Sequence, residues 1–293
     1  MHTGYNRRKT IFSLLVAMIS CFMFCANANS SVTTNNFPSF HAVMASDVVY
    51  VEMRYFVWEE FYEGQKLVTE SGFIPAIGIR GFLGKINNSV GLTYEAVVFY
   101  GMVDYEGYLQ SGDALIPYTS DTSYLGLEGN CSAVVNIETK EFIIAPFVGL
   151  RYSCWLRALG TDSFIHDPYG YDEYWQTLHG ITGIQYKIPS SKTTPVIITI
   201  SASLLFPLFV DETVDLSNAD GPSEIKLDPE GKSSFEIGME MDVPFRNVSS
   251  RMIFGIFYRT IEFSESSLDK TYQTFFQPES HYRIVGLKVG FNF

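Results

Sequence analysis

The stretch that decides the fold is FEIGMEMDVPF, residues 235–245. Every odd-numbered position in it is apolar, whereas the even-numbered positions include Glu236, Glu240 and Asp242. A repeat of two residues is that of a β-strand, in which successive side chains point to opposite faces. One face of this strand is therefore apolar and the other is charged.

The same alternation recurs along the chain. Apolar odd positions alternate with Glu52 and Arg54 in residues 49–57, and with Lys288 in residues 285–293. Most of the β-rich stretches are about twice as long as the ~5–6 residues of a soluble strand, whereas a tilted membrane-spanning strand needs about 9–11 residues. Ten stretches can be delimited: Val48–Phe61, Gly72–Gly84, Val90–Tyr105, Ser123–Ile137, Phe142–Leu156, Tyr174–Ile188, Val196–Val210, Phe235–Phe245, Arg251–Phe263 and Ser280–Phe293.

The connections between these stretches alternate in length. Short turns at one end and long loops at the other are typical of bacterial outer-membrane barrels, with the turns in the periplasm. An even number of strands places both termini in the periplasm. The short connections are Lys85–Ser89, Glu138–Glu141, Pro189–Pro195 and Arg246–Ser250, and the long ones are Tyr62–Ser71, Glu106–Thr122, Arg157–Glu173, Asp211–Ser234 and Ser264–Glu279.

The fold predicted from these features is all-β: a single antiparallel up-and-down transmembrane β-barrel of ten strands, with eight or twelve as alternatives, over residues 47–293. A soluble barrel points its apolar face inward, and an outer-membrane barrel points it outward to lipid. Loop sorting, strand length and the export signal favour the second arrangement, with Met239, Leu150 and Val289 facing lipid and Glu240 and Arg151 facing the lumen.

Aromatic residues near strand ends are predicted to form girdles at the two membrane surfaces. The ordinary preference of strands for aromatic residues is the alternative explanation. The residues concerned are Tyr55, Trp58, Tyr62, Tyr100, Tyr105, Tyr124, Trp155, Tyr174, Trp175 and Tyr258.

The N-terminus carries the three parts of a secretory signal in order. Arg7-Arg8-Lys9 is the basic region, Ile11–Phe24 is apolar but too short for the ~20 residues of a spanning helix, and Ala26-Asn27-Ala28 is a small-x-small cleavage site. We therefore expect residues 1–28 to be removed, which leaves a polar periplasmic lead over residues 29–46. Lipidation at Cys21 is the alternative.

Cleavage after Ala28 leaves two cysteines, Cys131 and Cys154. The turn between their strands places Cys131 opposite about residue 148, so a disulfide to Cys154 would require a slipped register. We expect both thiols to be free.

Composition narrows the classes of function. With 15% aromatic residues the 293-residue chain is not disordered, and a net charge of −12 makes nucleic acid a poor partner, because phosphate neutralisation dominates that affinity. Phosphate-loop, HExxH, CxxC and Ca²⁺-loop spacings are absent from the sequence, so no metal and no cofactor is predicted. The acidic stretch between Asp211 and Glu230 is interpreted as a solvated loop.

The polar face of the strands carries equal numbers of acids and bases. A barrel of about eight strands has room only for side chains, and charges inside it must be paired or hydrated. We therefore predict a salt-bridged plug, with a selective pore as the alternative. Its members are Glu52, Glu95, Glu128, Glu236, Glu240 and Asp242 against Arg54, Arg80, Arg151, Lys187, Arg259 and Lys288.

The chain ends GLKVGFNF, residues 286–293, with Phe291 and Phe293 among apolar residues at every second position. This ending resembles the C-terminal assembly signal of Gram-negative outer-membrane barrels, although Lys288 stands where that signal usually has Gly. Residues 103–110, 146–152 and 257–259 are also similar to strand patterns of uncharacterised small outer-membrane barrels. The resemblance implies an integral outer-membrane protein, with barrel assembly machinery, outer-membrane lipid and lipopolysaccharide as partners.

A ten-stranded barrel is also similar to the omptin proteases, whose site at the extracellular rim uses an Asp pair and an Asp–His pair. Candidates here are Asp162, His166, Asp167 and Asp172 in the third long loop and Asp104 at a strand end; solvated loop residues are the alternative interpretation.

Lipid A deacylase-like chemistry would need a Ser/His pair on a strand. His179 lies near Thr177 with no Ser at a matching spacing, and His281 stands alone.

The function predicted from the sequence is that of a non-enzymatic outer-membrane barrel which serves surface contact or envelope integrity. A narrow diffusion channel and an omptin-like hydrolase at the rim are the alternatives. Any extracellular ligand is unidentified.

Overall fold

The computed structural model describes residues 47–85, 90–111, 114–139, 141–160, 170–189, 196–217, 222, 224–245, 247–268, 271 and 275–292. These residues form twelve strands: β1 (Val48–Tyr62), β2 (Gln65–Lys85), β3 (Val90–Ser111), β4 (Ala114–Val135), β5 (Ile137–Glu138), β6 (Ile143–Leu159), β7 (Asp172–Pro189), β8 (Ile197–Asp215), β9 (Ile225–Leu227), β10 (Gly231–Phe245), β11 (Asn247–Phe263) and β12 (Glu279–Asn292). In these ranges there is no helix of the length and hydropathy needed to cross a membrane.

Ten of the strands close into an antiparallel barrel. Their order is β1-β2-β3-β4-β6-β7-β8-β10-β11-β12, and β12 returns to β1 with Val48 opposite Asn292. The short strands β5 and β9 pair with β6 and β8 outside this ring. The predicted fold class is confirmed, and each of the ten predicted stretches overlaps one barrel strand.

The two ends of the barrel differ. At the termini end, β1 begins and β12 ends; at the hairpin end, β1 turns into β2 and β3 turns into β4. The first turn is only Glu63-Gly64, with φ of 49° and 77°, the two left-handed residues of a tight hairpin. The predicted long loops Tyr62–Ser71 and Glu106–Thr122 are therefore wrong, since β2, β3 and β4 continue through them.

The strands continue because backbone hydrogen bonds do not depend on an apolar face. The β3–β4 ladder runs without interruption from Val90 opposite Val135 to Ser111 opposite Ala114. Beyond the apolar part of the barrel both faces of this hairpin carry polar residues, so the two-residue contrast that marks a strand in the sequence is lost there.

The exterior of the barrel is apolar. Val51, Leu150 and Met239 are 56%, 51% and 51% exposed, whereas Glu52 and Arg151 are each 5% exposed. The predicted inversion of the two faces is confirmed. Further exposed apolar side chains on the strands include Met53, Phe73, Ile77, Val148, Ile200, Leu204, Ile237, Ile256, Leu287 and Val289.

Both described cysteines are free thiols, as predicted. Cys131 lies opposite Leu150, two positions from the predicted partner, and Cys154 lies opposite Leu127. The predicted signal (residues 1–28), lead (29–46) and terminal Phe293 lie outside the described residues, so those assignments stay predictions.

Candidate functional site

Charged side chains from eight strands meet in the middle of the lumen. Glu128 on β4 accepts hydrogen bonds from Arg54 on β1 (Nη1–Oε1, 2.8 Å) and from Arg259 on β11 (Nη1–Oε2, 2.9 Å). Arg259 also binds Glu236 on β10 (Nε–Oε2, 2.5 Å), and Glu236 accepts a further bond from Arg151 on β6 (2.9 Å). Each carboxylate in this chain of contacts is held by two guanidinium groups.

The network continues toward the termini end through Lys288 on β12. Its Nζ lies 3.3 Å from Glu52, 3.2 Å from Glu95 and 3.7 Å from Glu240. Arg80 binds Glu240 with two parallel hydrogen bonds of 2.6 Å. Such forked pairs are the strongest carboxylate–guanidinium contacts in proteins.

The structure thus joins ten of the twelve predicted lumen residues into one network of five acids and five bases, here called the central network. Of the other two, Asp242 pairs with Arg251 (2.5 Å), a residue not predicted from the sequence, and Lys187 is buried on the inner wall within electrostatic reach of Arg80 and Glu240. The ten members are Glu52, Arg54, Arg80, Glu95, Glu128, Arg151, Glu236, Glu240, Arg259 and Lys288.

An aromatic layer covers the central network on the side of the hairpin end. Trp155 and Trp175 stack with ring centroids 5.6 Å apart, and Trp58 packs edge-on against Trp175 at 5.3 Å. All three tryptophans of the chain are in this layer. The remaining members are Phe56, Tyr124, Phe263 and Tyr282.

The predicted aromatic girdle is therefore wrong for half of its members. Trp58, Trp155, Trp175, Tyr105 and Tyr124 are buried inside, whereas Tyr55, Tyr62 and Tyr100 are exposed. The inward residues can be identified from whether their numbers are odd or even within a strand, because alternate residues share a face. Trp58 stands at an even position of β1, as the inward Glu52 and Arg54 do.

Beyond the aromatic layer lies a second ionic group, the Arg157 cluster. Arg157 on β6 donates to Glu60 (2.8 Å), Glu70 (2.6 Å) and Glu173 (2.8 Å), and its guanidinium lies 5.1 Å from the Trp58 ring centroid. Glu212 on β8 completes this cluster. It lies directly opposite Trp175 in the β7–β8 ladder. All five residues are at most 6% exposed.

The Arg157 cluster was not predicted from the sequence, because its residues were expected to lie in or beside loops. Glu60 has the inward parity of β1 and was recoverable, but Glu70, Glu173 and Glu212 were assigned to connections. The interpretation of the stretch from Asp211 to Glu230 as a solvated loop is wrong for Glu212, which is 0% exposed inside β8.

The free space that remains in the central network is small. A cavity of about 60 Å³ lies against Glu52, Arg54, Glu95, Arg259 and Lys288. This volume holds a few water molecules, and its charged lining offers them hydrogen bonds.

Of the residues considered for an omptin-like site, the structure describes only Asp104 and Asp172, and it places them on separate strands, β3 and β7. Asp162, His166 and Asp167 lie outside the described residues. Asp104 faces outward opposite Asp121, and Asp172 lies opposite Asp215. No group of three or more His, Cys, Asp or Glu side chains in the described ranges is arranged to hold a metal ion.

The two histidines among the described residues have surroundings that spacing did not reveal. His179 is 0% exposed, and neither ring nitrogen has a hydrogen-bond partner. Ser153 lies opposite Thr177, one step along the inner wall from His179. His281 does not stand alone, since its Nε2 lies 3.2 Å from Glu279.

A closed ten-stranded antiparallel barrel with an apolar exterior and an ion-paired interior is the architecture of the outer-membrane β-barrel proteins. The chain resembles members of that class whose structures are solved. No family model and no curated protein matches the sequence.

One similar structure is that of the outer membrane protease OmpT from Escherichia coli, with a TM-score of 0.54 and 8% identity over 90% of this chain and 100% of that chain. This likeness shows a shared fold. Weaker matches are the transport unit of the autotransporter AIDA-I from E. coli (TM-score 0.44, 9% identity, 92% of this chain and 97% of that chain) and the attachment invasion locus protein Ail of Yersinia pestis (0.28, 9%, 85% and 100%).

Proposed function

We propose that the chain is an integral protein of the bacterial outer membrane whose sealed barrel anchors non-catalytic surface hairpins. Its role is surface contact or envelope integrity, with the termini in the periplasm and outer-membrane lipid, lipopolysaccharide and the barrel assembly machinery as partners. The observation that carries the proposal is the filled lumen between an apolar exterior and ten closed strands.

The exterior supports the membrane part of the proposal. Large apolar side chains such as Phe73, Val148 and Leu287 are 62%, 61% and 59% exposed and recur around the strands. A monomer in water rarely exposes contiguous apolar area of this extent, whereas a lipid-facing barrel requires it.

The interior supports a sealed barrel rather than a channel. The central network, the aromatic layer and the Arg157 cluster follow one another along the barrel axis and draw side chains from opposite walls. Breaking such a network to open a path would leave buried charges without partners, which is strongly destabilising.

The hairpin end offers a surface for contact. β2 and β3 pair only from Thr69 opposite Glu106, so the tip of the β1–β2 hairpin diverges from the β3–β4 hairpin. A groove of about 320 Å³ opens between them, lined by residues that include Leu67, Tyr108 and Tyr118.

The first test is electrical. Purified barrel reconstituted into planar bilayers is expected to give no conductance steps, because side chains fill the lumen. Recovery of heat-modifiable protein from vesicles of the same preparation is the control for insertion. Discrete steps from inserted protein would favour the narrow diffusion channel instead.

The second test is location. Fractionation is expected to place the protein with the outer membrane, released by detergent and shifted in gel mobility on boiling. Extraction without detergent would contradict the membrane assignment, and hydrolysis of peptides or lipid A by the purified barrel would contradict the non-catalytic role.

A further inference from the structure

The Arg157 cluster has more acids than its single base can balance. Glu60, Glu70, Glu173 and Glu212 are four carboxyl groups, and Arg157 is one guanidinium. If every group were ionised, three negative charges would be left (four minus one) in a site shielded from water. The central network on the other side of the aromatic layer has no such excess.

Three of the four carboxylates are well supplied with donors. Besides Arg157, Glu60 accepts a bond from Trp58 Nε1 (2.8 Å) and Glu173 one from Trp175 Nε1 (3.0 Å). Glu70 accepts bonds from the hydroxyls of Thr122 (3.2 Å) and Tyr124. Each of these three groups therefore has hydrogen-bond donors besides Arg157.

Glu212 is different. It is 0% exposed, and within the described part of the chain neither of its carboxyl oxygens has a hydrogen-bond partner. An isolated carboxylate in such a place is very costly, and the group is neutralised instead. A bound metal would be another countercharge, but the described acids are not grouped as metal ligands.

We propose that Glu212 holds a proton in the folded barrel and that this proton is a switch for the hairpin end. Its loss puts a further negative charge beside Glu173 and Glu60, and repulsion then separates the end of β8 from β7 and β1. The switch operates whether or not the barrel conducts.

Charged and titratable groups from several strands face this part of the cluster. Among the described groups that act most strongly on Glu212, Arg157 is the one base, and it is already shared by three carboxylates. The groups are Glu60 on β1, Glu70 on β2, Tyr105 on β3, Tyr124 on β4, Arg157 on β6, Tyr171 just before β7, Glu173 on β7 and Asp211 on β8.

The direction of the pH effect follows from proton counting. In the unfolded chain Glu212 is ionised above about pH 5. From that pH up to the pH at which folded Glu212 loses its proton, the folded state therefore holds one proton more than the unfolded state. Stability therefore falls as pH rises through this interval. At lower pH both states carry the proton, and the contribution of Glu212 no longer changes.

The three tryptophans give a direct readout. Trp175 lies opposite Glu212 in the β7–β8 ladder, stacks on Trp155 and contacts Trp58. Separation of the end of β8 changes the surroundings of these rings, so intrinsic tryptophan fluorescence of the complete barrel reports on the proposed switch.

The experiment is a pH titration from 5 to 10 of tryptophan fluorescence in detergent micelles, with urea unfolding at both limits. We expect a reversible transition in the wild type and a folding equilibrium constant that falls by up to about tenfold per pH unit within it. Glu212→Gln is expected to abolish both effects. The matched control Glu106→Gln, at an exposed outward acid on β3, is expected to retain them.

Every other result counts against the switch. A transition that persists in Glu212→Gln would assign it to another group. A transition that follows added Ca²⁺ at constant pH and disappears with a chelator would make a metal ion the countercharge. Failure of Glu212→Gln to fold would also overturn the proposal, because Gln is the uncharged near-isostere of a protonated Glu.

Discussion

Replacing Arg157 by Met is expected to lower the free energy of unfolding by about 3–5 kcal/mol, the range measured when one partner of a buried ion pair is removed. Arg157 is 0% exposed and donates to Glu60, Glu70 and Glu173, so its loss leaves several carboxylates without a cation. Met keeps much of the side-chain volume, which separates the charge effect from a cavity effect.

The measurement is urea unfolding in lipid vesicles, followed by the gel mobility of unboiled protein. Lowering the pH is expected to restore part of the loss, because protonation removes the uncompensated charges. The matched control is Arg283→Met on β12, where the side chain is 43% exposed and pairs with Glu59 alone. Exposed pairs contribute at most about 1 kcal/mol. Equal effects of the two substitutions would contradict the buried cluster.

Replacing Leu287 by Arg is expected to destabilise the barrel in lipid by about 2–4 kcal/mol, the cost of a cation on the lipid face near the bilayer midplane. Leu287 is 59% exposed in the middle of β12, between the outward Val285 and Val289. In a water-soluble barrel the same exposed position would accept Arg with little change.

The control for this prediction has nearly the same exposure and the same chemistry. Leu268 is 55% exposed but lies after the end of β11 at the hairpin end. Leu268→Arg is expected to change the free energy of unfolding by less than about 0.5 kcal/mol in the same vesicles. A neutral Leu287→Arg would contradict lipid contact at this face.

The sequence predicted those parts of the fold in which apolar and polar residues alternate along a strand. In residues 235–245 successive side chains point to opposite faces of the barrel wall, so the residues that share a face can be identified from the local sequence alone. The prediction failed at the hairpin end, where β3 and β4 extend to Ser111 and Ala114 with polar residues on both faces. Where both faces are polar, the alternation of apolar and polar residues is lost, and the ends of the strands cannot be predicted from it.

The sequence by itself determined which residues of a strand share a face and that one face carries charges, because both depend on residues one or two positions apart. Strand length, loop sorting and the export signal then predicted ten strands with the apolar face outward. Only the tertiary structure decided which charges meet. Glu128 binds Arg54, 74 positions away, and Arg259, 131 positions away. Partners of that kind are set by the register of every strand pair and by closure of the barrel, and so is the crowding of four acids around Arg157, which no local pattern contains.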